Sequence, residues 1–89
     1  MKKVNNEFAR VSDRIESHVL DFLLDRIQRK NPWFHMKELQ EYVSEQETVA
    51  PDSPSRILRM LRQEGTVSYV VVSRSLSLYR LQSIALGLE

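Results

Sequence analysis

The thirteen residues SPSRILRMLRQEG, Ser53 to Gly65, constrain the fold of this chain more than any other stretch. They carry a start signal, a stop signal and two opposed faces between them. Ser53 is placed to cap a helix by accepting from its first free N–H groups, and Pro54 suits the first helical position, where its missing N–H has no intrahelical partner to lose. Gly65 closes the helix, because glycine enters the left-handed conformation without a steric cost. At ~100° per residue, Ile57, Leu58, Met60 and Leu61 share one side. Ser55, Arg56, Arg59, Arg62 and Gln63 fall within roughly a 120° arc opposite them. Two runs rich in Val, Leu and Tyr follow, predicting strands over about Val67–Val72 and Leu76–Leu81. Ser73-Arg74-Ser75 joins them by a connection short enough to require an antiparallel hairpin with Arg74 at its tip.

Upstream, the periodicity predicts two more helices. Ser12 caps the first, from Asp13 to about Lys30, and Asn31-Pro32 stops it. Its apolar residues Ile15, Val19, Leu20, Phe22, Leu23, Leu24 and Ile27 span roughly 200° of the wheel, wider than the ~100° stripe one core needs. Leu20 and Leu24 lie at one edge of that arc. They either pack against the chain's own ends or form the seam of a homodimer. The second helix runs from about Met36 to Glu45, with Met36, Leu39, Tyr42 and Val43 on one face and His35, a poor cap, at its start. Between them, Trp33-Phe34 reads as a short apolar link, and its place beside Pro32 favours core packing over a stacking platform for single strands. The expected organisation is a polar, frayed arm over 1–11, one domain over 12–82 and a tail over 83–89, whose Leu88-Glu89 has the look of a cloning remnant. The expected fold class is α+β: mainly helical with a small antiparallel hairpin.

Composition narrows the function more by exclusion. With 89 residues the chain makes one modest core. The absence of cysteine excludes a disulfide scaffold and a thiolate zinc site, and fits a cytoplasmic protein. No apolar run is long enough for a bilayer and no signal-peptide pattern opens the chain, so no membrane partner is expected. His18 and His35 are the only histidines; Asp21 and Asp25 near His18 make too weak a set for a metal site. Two glycines allow no phosphate loop, and no serine or carboxylate pair has a plausible catalytic partner. The expectation is a protein without catalytic activity, cofactor, metal or small-molecule ligand. Charge is unevenly spread. Residues 31–52 carry Lys37 against five acids, whereas 53–87 carry five arginines against Glu64 alone. A local basic face matters more to nucleic-acid binding than the net charge of +1.

The order helix, short link, helix, turn, helix, hairpin resembles the winged helix-turn-helix superfamily over roughly residues 13–82. FHMKELQEYV resembles its second helix, SPSRILRMLRQEGTVSYV its recognition helix running into the first wing strand, and SLSLYRL the returning strand. The resemblance is to the superfamily and to no one family within it. It implies a recognition helix in the DNA major groove and a wing on an adjacent groove or phosphate. Ser55, Arg56, Arg59 and Gln63 would then read bases with Arg62 at the flank, Ser53 and Ser55 would meet a phosphate, and Arg74 would be the wing contact. Arginine suits guanine and glutamine suits adenine. The function implied is a small DNA-binding protein, a transcription regulator or a phage or mobile-element accessory factor. It would be nucleoid-associated and act on double-stranded DNA as a dimer with half-sites about one helical turn apart. The chain departs from this pattern in its acidic second helix, with Glu38, Glu41 and Glu45, and Glu47 just beyond. The wheel groups Lys37, Gln40 and Ser44 with Glu38 and Glu45 roughly opposite, which lets those acids face away. The alternative is a winged-helix protein-interaction module that binds no DNA.

Overall fold

The computed structural model describes the backbone of residues 6–85 and the side chains of residues 13–85. The elements run α1 (Asn6–Gln28), β1 (Trp33–His35), α2 (Met36–Gln46), α3 (Ser53–Gln63), β2 (Val67–Ser73) and β3 (Leu78–Ile84). The fold is α+β, three helices and a three-stranded antiparallel sheet of order β1-β3-β2, compatible with a winged helix-turn-helix arrangement. One core joins the helices to the sheet: Ile15, Val19, Phe22 and Leu23 from α1, Leu39 and Val43 from α2, Leu58 and Leu61 from α3, and Phe34, Val67, Tyr69 and Leu81 from the strands. The α3 faces fall as its periodicity predicts, with Leu58 and Leu61 fully buried and Ile57 and Met60 packed on the core's rim.

Several boundaries differ from expectation, each for a local reason. The helix α1 begins at Asn6, within the expected arm, whose residues 1–5 lie outside those described, and Ser12 lies inside the helix instead of capping it. It ends two residues before Lys30, which itself takes a left-handed φ of 57°. Lys30 N–H bonds to Ile27 O and Asn31 N–H to Arg26 O, both at 3.0 Å, the Schellman pairing usually built on glycine. Leu20 is half-buried against its own core, and Leu24 is half-buried as well. At α3 the cap is Asp52, not Ser53; Ser53 and Pro54 occupy the first two helical positions. Gly65 acts as expected. Its φ is +84°, and Gly65 N–H to Arg62 O and Thr66 N–H to Leu61 O close the helix.

The apolar link is a strand. Phe34 pairs with Tyr79 across β1 and β3, buried in the core, while its neighbours point to the other face of the sheet. Trp33 is therefore 44% exposed, not a core residue, and Arg80 lies over its ring at 5.8 Å. The β2–β3 hairpin is longer than predicted at its far end and has a four-residue turn, Arg74–Ser77, in which Ser77 takes a φ of 51°. Leu76, expected as a strand residue, sits in that turn and is exposed. The ladder steps past Gln82 on β3 and past Val72 on β2, two bulges on opposite strands.

A small polar cluster locks the sheet to the helices. Arg26 donates through Nη1 to Trp33 O and through Nη2 to Glu38 Oε2, each at 3.0 Å, and its guanidinium lies 4.9 Å from the centre of the Phe22 ring. Glu38 Oε1 accepts from the His35 backbone N–H at 2.8 Å, satisfying an orphan donor at the start of α2. At the same point Met36 N–H donates to Ser77 O at 2.9 Å and His35 Nδ1 to Leu76 O at 3.1 Å. The hairpin turn is thus tied to the first residues of α2.

Candidate nucleic-acid interface

Because Leu58 and Leu61 anchor α3 to the core, Arg56, Arg59, Arg62 and Gln63 are left on its exposed side. The strand β2 returns beside α3, and an open cleft of about 360 Å³ lies between them. From α3 it is lined by Ser55, Arg59 and Arg62, and from the hairpin by Tyr69, Val71, Arg74 and Tyr79. Met36 completes it. Its aromatic wall is packed ring on ring: Tyr79 stacks on Phe34 at 5.5 Å and meets Tyr69 edge-on at 5.6 Å. The Arg62 guanidinium sits 4.8 Å from the centre of the Tyr69 ring, which holds this long side chain against the sheet.

Of the expected site residues, the cleft brings together Ser55, Arg59, Arg62 and Arg74. It does not include Ser53, Arg56 or Gln63. Ser53 is half-buried in the first turn, and the Ser55 hydroxyl donates to Asp52 O at 3.0 Å, so it is engaged within its own helix. Arg56 is exposed beside Asp52 at 3.6 Å, an i,i+4 pair of little energetic weight. Gln63 is exposed at the last position of α3. Met36, Tyr69, Val71 and Tyr79 were missing from the sequence-based set. Strand alternation puts Tyr69 and Val71 on one face, Tyr79 joins them by pairing with Val71, and the helix that lies across from them is set by the tertiary fold.

The electrostatics separate the arginines into two groups. Arg14, Arg26, Arg29 and Arg56 lie 3.0–3.6 Å from a carboxylate. Among the described residues Arg59, Arg62, Arg74 and Arg80 have no such partner, and three of these four line the cleft. No acidic side chain lines it. Of the acids on and just after α2, Glu38 pairs with Arg26 and Glu47 with Arg14 at 3.0 Å and His18 at 3.4 Å. Glu41 meets Lys37 only at 4.0 Å in an exposed pair, and Glu45 is exposed with no cation within 4.0 Å among the described residues. Burial alone would push the Glu38 carboxyl up, but the His35 N–H and the Arg26 guanidinium outweigh it and hold it below the ordinary range. Glu16 moves the other way, raised by partial burial and by the nearby charges of Glu64 and Asp13.

Among the described residues no group of three His, Asp or Glu side chains could hold a metal ion, and His18 turns to Glu47. No described helix is long and apolar enough to cross a membrane. No protein family, curated protein or solved structure matches the chain.

Proposed function

We propose that this chain is a small DNA-binding protein of the winged-helix kind, which lays α3 in the major groove of a duplex and uses the β2–β3 hairpin as its wing. One observation carries the reading: three of the four described arginines without a carboxylate partner, Arg59, Arg62 and Arg74, gather from α3 and the hairpin around a cleft free of acids. The pairing of Glu38 with Arg26 and of Glu47 with Arg14 lessens the objection that acids at α2 would repel a phosphate backbone passing nearby. Arg56, whose exposed pair with Asp52 is weak enough to exchange, and Gln63 lie on α3 outside the cleft and are the side chains to meet base edges. In this role the protein regulates transcription or assists a phage or mobile element, at the nucleoid.

The test is fluorescence anisotropy of a labelled random-sequence duplex at two salt concentrations. The reading expects binding whose log affinity falls linearly with log salt, by ~0.9 for each phosphate neutralised. No binding at low salt refutes it. One observation favours an interaction module instead: the outer sheet face exposes Trp33, Val70 and Val72. That alternative predicts no duplex binding together with a mass that rises with protein concentration.

A further inference from the structure

We propose that the cleft between α3 and the hairpin is a phosphate seat, in which Arg59, Arg62 and Arg74 clamp one phosphate with its neighbouring group. This rests on the DNA reading but changes its detail, since Arg59 then holds backbone and does not read a base. The three arginines come from two elements, α3 and the turn after β2, and line the same concavity. A lone carboxylate is satisfied by a single bidentate arginine. Three cations with no acid among them call for a ligand with more charge and more acceptor oxygens, and phosphate supplies both. At about 360 Å³ the space exceeds one phosphate, so it fits a phosphodiester with part of its sugars, or a diphosphate. Arg62, held over Tyr69, is already oriented and loses little freedom on binding.

The same chemistry comes from a DNA strand or from a free phosphorylated compound. Such a compound would therefore compete with DNA for the seat. That makes the cleft a point at which soluble phosphates lower DNA occupancy.

The experiment titrates the full ¹⁵N-labelled chain with inorganic pyrophosphate, and in parallel with acetate at matched ionic strength, following backbone amides by NMR. Labelled duplex is then displaced by pyrophosphate against a sodium chloride control of equal ionic strength. The proposal expects saturable shifts confined to α3, β2 and the Arg74–Ser77 turn, absent with acetate. It also expects about tenfold weaker pyrophosphate binding in Arg59→Ala and in Arg74→Ala, and duplex displacement beyond the salt control. Both side chains are exposed and lack an ion pair, so these variants should melt like the parent. Pyrophosphate binding without any duplex binding upholds the seat and removes the DNA reading. Duplex binding with no amide shifts and no displacement beyond the salt control overturns the seat and leaves the DNA reading standing. Acetate shifting the same amides as strongly overturns the phosphate assignment.

Discussion

Replacing Arg26 by alanine should cost more stability than any other single arginine substitution. Its side chain is only 18% exposed, and it joins three elements at once. The bond to the Trp33 carbonyl is charge-assisted and contributes about 1–1.5 kcal/mol. The Glu38 carboxylate is 43% exposed, so solvent screening limits that half of the contact to about 0.5–1 kcal/mol. The guanidinium over Phe22 adds about 0.5 kcal/mol. The loss should total roughly 2–3 kcal/mol, which for a domain of this size lowers Tm by roughly 10–20 °C. Urea unfolding should show the drop as a shifted midpoint with an unchanged slope. A second signature lies in pH. Glu38 titrates below its ordinary value in the fold, so its contribution is full above the ordinary carboxylate pKa and is lost as pH falls through the folded one. Without Arg26 the acid limb of the stability curve should be shallower. If Arg26→Ala unfolds within about 0.5 kcal/mol of the parent, the cluster does not hold α1, β1 and α2 together as argued.

Two helix ends make opposite predictions. Gly65→Ala meets no atom within 4 Å, so its cost is purely conformational and should be roughly 1 kcal/mol by thermal melt. Lys30→Gly relieves a left-handed lysine and should stabilise by about 0.5–1 kcal/mol; a destabilised variant would show that the lysine side chain makes a contact of its own. Leu61→Ala removes a fully buried anchor of α3 and should cost about 2–5 kcal/mol, measured by urea unfolding. Arg56→Ala breaks only an exposed pair and should leave stability within about 0.5 kcal/mol. In anisotropy it should flatten preference at one base position; unchanged preference removes Arg56 from the readers.

What was legible in the sequence was what is local. The periodicity and Gly65 marked α3 because helix faces and left-handed caps depend on residues a few places apart. The Ser53 cap failed by one residue because Asp52 and Ser53 are both capping types ahead of Pro54, and the backbone at Asp52 took the position. β1 was invisible for a different reason. Three residues after a proline carry no pattern of their own, and they become a strand only by pairing with β3, more than forty residues on. The same non-local pairing put Trp33 outside the core. The site divided along the same line: the arginine face of α3 could be read directly, whereas its union with Arg74 and two tyrosines depended on how the hairpin folds back.

The two bulges mark where the hairpin can lose a residue. The step past Gln82 shifts the pairing by one residue, and the step past Val72 shifts it back. Between them, Tyr69, Val70 and Val71 run in a register of their own, which sets Tyr69 on the core and Val71 on the cleft. Removing either bulged residue alone takes out only the unpaired residue and leaves every other pair of the ladder in place, so Ser77 O stays opposite Met36 N–H. Removing both leaves a regular ladder in a straighter, less twisted hairpin. The hairpin can therefore shorten by one residue at Gln82 or at Val72, whereas a deletion among Tyr69, Val70 and Val71 turns side chains to the wrong face, and a longer turn would break its bonds to α2.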